Sequence, residues 1–104
     1  MEYWNNLMAA LGVASSLEAQ GKADLAAAAY QRVVSGYSDP NAVDIAKFAL
    51  AKIDEQKGKL AEAETFFQDV ARNNPNTPLG SEAAFRAYQL KPKSPAPFTI
   101  STKP

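Results

Sequence analysis

The sequence contains neither cysteine nor histidine. Without Cys there are no disulfides, no thiolate nucleophile and no Cys-ligated metal, although the redox compartment stays open. Without His the commonest metal ligand and the commonest general base at neutral pH are missing. An excess of either charge is lacking too: eleven Lys plus Arg stand against eleven Asp plus Glu, spread along the chain. No basic face is therefore offered to nucleic acid or to an anionic membrane. No apolar run approaches the roughly 20 residues that cross a bilayer, so no membrane insertion is expected. Leu7 to Ala14 has the length of a signal core, but Glu2 and no cation precedes it, which is the wrong polarity for an export signal. The five glycines are isolated, and without a Gly-x-Gly there is no phosphate cradle.

These absences leave little room for catalysis. The acidic candidates are Asp54 with Glu55, Glu62 with Glu64, and Glu18 with Asp24. Glu62 and Glu64 are two apart and diverge on a helix, while Asp54 and Glu55 flank a turn, so all read as solvated surface. Ser15 and Ser16 have no His to activate them. The expectation is a chain that is not an enzyme and needs no cofactor or metal.

What is present is a repeated amphipathic plan. Gln56 to Pro75 reads as a Gly-punctuated turn, a helix with Leu60, Ala63, Phe66, Phe67 and Val70 on one stripe, and a Pro that ends it. Gln20 to Val34 has the same plan, and Gly21 and Gly58 stand 37 residues apart. A helix of this kind cannot bury its stripe alone, and a period of this length belongs to helical repeats. At 104 residues the chain is one domain by length, able to bury roughly two thirds of its unfolded surface.

Five helices are predicted. The first, Tyr3 to Ala19, carries Leu7, Ala10, Leu11, Ala14 and Leu17 at helical spacing, with Gly12 inside it suggesting the close approach of another helix. The second runs from Ala23 to about Ser35 and buries Ala26, Ala29, Tyr30 and Val33. Asp39 caps a third helix that starts at Pro40 and ends near Lys57. Its apolar set, Val43, Ala46, Phe48, Ala49, Leu50 and Ile53, is wide enough for neighbours on two sides. A fourth spans Leu60 to Asn73. Pro75 and Pro78, with Thr77 as a cap, separate it from a fifth, Leu79 to about Leu90. That last helix carries Ala83, Ala84, Ala87, Tyr88 and Leu90 and has no helix after it.

The two units resemble tetratricopeptide repeats: Ala14 with Gly21 and Ala51 with Gly58 match the small residue and Gly of the family's first helix. Ala26 with Tyr30 and Ala63 with Phe67 match the small residue and aromatic of its second, and Pro75 matches its closing Pro. The resemblance departs at Ala10 and Lys47, where the family often has Trp, and at Leu17 and Asp54, where it often has Tyr. It implies an all-α fold of stacked antiparallel helical hairpins in a right-handed superhelix, about two repeats plus a capping helix, over residues 1–90. The implied function is protein–protein interaction, with a peptide or partner protein held on the concave face of the first helices. By position that face presents Met8, Leu11, Ser15 and Glu18, then Ile45, Phe48, Lys52 and Glu55, with Glu82, Arg86 and Gln89 from the fifth helix. Packing against the next helix is an equal reading for Leu11, Ile45 and Phe48.

The Lys and Asn clamp by which some members grip acidic chaperone C-termini is absent, since Leu11, Ser15, Phe48 and Lys52 stand at those positions. The Asn-Pro-Asn-Thr-Pro run is similar to that in tetratricopeptide domains of bacterial cell-envelope proteins. The alternative function is structural: stacking on further repeats of a larger scaffold, or self-association. Residues 91–104 hold four prolines, with Phe98 and Ile100 as the apolar pair expected to dock an extended tail onto an apolar surface.

Overall fold

A computed structural model describes residues 2–91, the side chain of Tyr3 excepted. The expected docking of Phe98 and Ile100 lies outside the described residues. Five helices follow one another: α1 (Glu2–Ala19), α2 (Ala23–Gly36), α3 (Pro40–Gln56), α4 (Leu60–Asn73) and α5 (Pro78–Leu90). The described residues contain no strand. Each helix packs on the next in turn, and α1 also touches α3.

The two hairpin turns are built alike. Gly21 and Gly58 adopt φ of 78° and 80°, a left-handed backbone that only glycine takes without strain. In the first turn the Lys22 N–H donates to the Leu17 carbonyl at 2.9 Å and Gly21 N–H to Glu18 at 3.0 Å. In the second, Lys59 donates to Asp54 at 2.8 Å and Gly58 to Glu55 at 3.1 Å. This paired closure satisfies carbonyls that a helix end leaves orphaned. Lys57 pairs with Asp24 and so ties one turn to the other.

Between the hairpins the chain uses caps. The Asp39 carboxylate accepts from Ala42 N–H at 2.9 Å and Pro40 opens α3; the Thr77 hydroxyl accepts from Gly80 N–H at 3.0 Å and Pro78 opens α5. Helix α5 thus begins one residue earlier than Leu79, because Pro at a first helical position forfeits no hydrogen bond. Helix α3 stops at Gln56, where Lys57 has already left helical geometry, and α2 runs one residue past Ser35.

The core forms two clusters. One gathers Leu7, Ala14, Ala26, Ala29, Tyr30 and Val33 with Ala42, Ala46, Ala49, Leu50 and Ile53; the other gathers Ala51, Ala63, Phe67, Val70, Ala83 and Ala87. Helix α3 feeds both, which accounts for its broad apolar set. Small residues at the crossings let the helices close in, and the Phe48 and Phe67 rings fill the second cluster edge to face, 5.4 Å between centroids.

Two expectations need correction. Leu60, placed on the buried stripe of α4, is 46% exposed, because it is the first residue of the helix, at the edge of the turn. Gly12 is exposed, and a Cβ there would meet nothing within 4 Å, so none of the described helices approaches it.

Candidate functional site

The residues expected to hold a ligand fall in rows across α1, α3 and α5. One 37-residue step carries Met8 to Ile45 and on to Glu82, Ser15 to Lys52 and on to Gln89, Leu11 to Phe48, and Glu18 to Glu55. Met8 and Ile45 are exposed, as are Ser15, Glu82 and Gln89. Leu11 and Phe48 are half-buried, each packed against a core cluster, so both contribute to packing while keeping an edge in solvent.

The strongest convergence is at the junction of α3, α4 and α5. The Arg86 guanidinium lies 5.8 Å from the centroid of Phe48 and 5.8 Å from that of Phe67, and the Lys52 ammonium 5.5 Å from Phe48. Arg86 donates from Nε to Glu82 at 2.7 Å and faces Glu55 at 3.6 Å. Cations over ring faces contribute about 0.5–2 kcal/mol, rising as water is excluded. Two carboxylates hold the fork of Arg86 while the rings support its plane. Five expected residues, Phe48, Lys52, Glu55, Glu82 and Arg86, are thereby brought together, with Phe67 beneath them.

In the first unit Glu18 is already engaged. The Tyr30 hydroxyl donates to its carboxylate at 2.8 Å across the hairpin. Burial and then this carboxylate push the Tyr30 phenol up to about 12, since ionising it would place one anion beside another in a poorly hydrated place. Glu18 therefore contributes to holding the hairpin, one 37-residue step from Glu55.

Two features were missed by sequence reasoning. Phe85 is 58% exposed and lies one 37-residue step from Phe48, so the repeat itself could have found it. Asp44, buried on α3, accepts amide N–H groups from Asn73 at 3.3 Å and Asn74 at 2.9 Å. It borders a polar cleft of about 410 Å³ together with Lys47 and Asn41, and ties α3 to the turn that launches α5. Its partners lie 29 and 30 residues away, beyond any local pattern.

The profile of the tetratricopeptide repeat matches this chain twice, at residues 8–40 and 46–77, more than half its length. The chain belongs to the tetratricopeptide repeat family. No curated protein and no solved structure matches it. The first match runs from within α1 through α2 to the first residue of α3, and the second from within α3 to the turn before α5, so α5 is a first-type helix following two repeats. Tetratricopeptide repeats are in general non-enzymatic modules of protein–protein interaction. No described helix is long and apolar enough to cross a membrane, and the described residues contain no cluster of side chains that could hold a metal.

Proposed function

We propose that this tetratricopeptide chain binds a peptide or a partner protein along the face shared by α1, α3 and α5, with Met8, Ile45, Phe48, Lys52, Glu55 and Arg86 as the contacts. The observation that carries the reading is the exposure of Met8 and Ile45 in the same row, beside a junction where two cations lie over an aromatic ring. Exposed apolar side chains next to fixed charges of both signs offer burial for affinity and direction for specificity. Glu82 and Gln89 extend the rows onto α5, and Leu11, Ser15 and Glu18 begin them on α1.

A photo-reactive phenylalanine analogue at Ile45 or Met8 tests this when the full chain is exposed to extract of the native source. Thr65, exposed on α4, serves as the control position. The expected result is one product shared by Ile45 and Met8 and absent from Thr65. Labelling that is equal at all three positions overturns the assignment of this face.

A further inference from the structure

On the face proposed above, the charged side chains are Glu18, Lys52, Glu55, Glu82 and Arg86, and all but one are engaged. Glu82 accepts from Arg86 at 2.7 Å, Glu55 faces the same guanidinium at 3.6 Å, and Glu18 accepts the Tyr30 hydroxyl at 2.8 Å. Lys52 is the exception. Its ammonium lies 5.5 Å from the Phe48 centroid, and no carboxylate or other acceptor meets it among the described residues. A ring face attracts a cation but gives its N–H groups no oxygen, so the ammonium keeps its donors for a ligand.

The surroundings of Lys52 narrow what it meets. Along α3, Ile45, Phe48 and Lys52 fall on one stripe, which sets the exposed Ile45 about 10 Å from Lys52 along the helix axis. One 37-residue step to either side stand Ser15 and Gln89, both exposed and uncharged, so Lys52 is the single charge of its row. Lys52 is also half-buried, and a partly desolvated ammonium gains more from a carboxylate than a fully hydrated one does. Because the row continues on both sides of Lys52, a chain that brings an acid there passes through and does not end.

Granted that this face is the binding site, we infer that its ligand is a protein segment with an internal Asp or Glu for Lys52 and an apolar side chain, about 10 Å away, for Ile45. The carboxylate supplies the acceptor that Lys52 lacks, while the Phe48 ring holds the ammonium from its other side. Arg86 takes no part, since Glu82 and Glu55 already occupy it.

The probe is a random peptide library displayed on phage through the C-terminal end of each peptide, so that every carboxylate it offers is a side chain, panned on the full chain. Recovered peptides are expected to carry Asp or Glu about three residues from an apolar one, the spacing at which an extended chain covers 10 Å. For a recovered peptide, Lys52→Gln and exchange of the peptide's acid for its amide should each weaken binding about tenfold, with little further loss when combined. Lys52→Glu, folded by circular dichroism, should prefer the peptide in which Lys replaces that acid. Lys47→Gln, which removes a cation that pairs with Asp69 of α4, should leave binding unchanged. Peptides weakened by Ile45→Ser but bound equally by wild type and Lys52→Gln overturn this inference and leave the face standing. Peptides indifferent to Ile45→Ser overturn the face and the inference together, as does a library that yields no binder.

Discussion

Gly80→Ala sets two physical effects against each other. Ala is favoured over Gly inside a helix by about 1 kcal/mol, so propensity alone makes the change stabilising. Space argues the other way: a Cβ at Gly80 would lie 2.8 Å from the carbonyl carbon of Asn74 and closer still to its oxygen. Both atoms are backbone and cannot rotate aside. The Asn74 oxygen accepts the Thr77 hydroxyl at 2.8 Å, and that hydroxyl accepts Gly80 N–H at 3.0 Å. The Asn74 side-chain amide donates to Val70 O and to the buried Asp44 carboxylate, both at 2.9 Å. Displacing Asn74 therefore loosens the α5 cap and removes a partner from a buried charge, each costing about 1–3 kcal/mol. The expected balance is a loss of about 2–4 kcal/mol in urea unfolding, out of a total of about 5–10 kcal/mol for a domain of this size. Gly12→Ala is the internal control: it is exposed with no neighbour within 4 Å, and propensity alone should stabilise it by about 0.5–1 kcal/mol. Equal gains in both variants would refute the argument from space.

Phe67 is fully buried beneath Phe48 and Arg86, and Phe67→Ala is expected to cost about 3–5 kcal/mol by chemical denaturation. A loss below about 1 kcal/mol would show that the ring is peripheral. Tyr30 supplies a pH test: its phenol titrates near 10.0 when unfolded and at about 12 when folded. Because the folded value is the raised one, this contribution is fully present below pH 10 and is lost as pH rises through 12. Tyr30→Phe should remove that part of the alkaline decline in melting temperature while costing about 1 kcal/mol at neutral pH; an unchanged alkaline decline would refute the role of the Tyr30–Glu18 bond.

The helices were legible because each carries its own 3.6-residue period and its own stop signal. Gly21, Gly58, Asp39 with Pro40, and Thr77 with Pro78 all act within a few residues of where they stand, and all were readable. What escaped has reasons that lie farther off. Gly80 reads locally as a weak helix former, and only the fold reveals the Asn74 carbonyl against it. Asp44 looks like a polar break in an apolar helix until Asn73 and Asn74 are seen to hold it. Gly12 was read as a close approach from its residue type alone, yet no partner for it stands among the described helices.

The candidate ligand face was legible by a different route, through register. The 37-residue step carries Met8 to Ile45 and Glu82 and Ser15 to Lys52 and Gln89, whereas Phe48, Lys52 and Glu55 stand together on α3 and Arg86 reaches them from the register place of the buried Ala49. Register does not say which of them is free to bind. Arg86 rests on Phe67, part of the second core cluster, so the wall of this face is also the interior of the second repeat. A ligand carboxylate approaching Arg86 must compete with Glu55 at 3.6 Å, the looser of its two acidic partners, because Glu82 at 2.7 Å is the tighter. Changing Arg86 or Phe48 is therefore expected to perturb folding together with the proposed recognition. Met8, Ile45 and Gln89 are exposed, and substitutions there separate recognition from stability most cleanly.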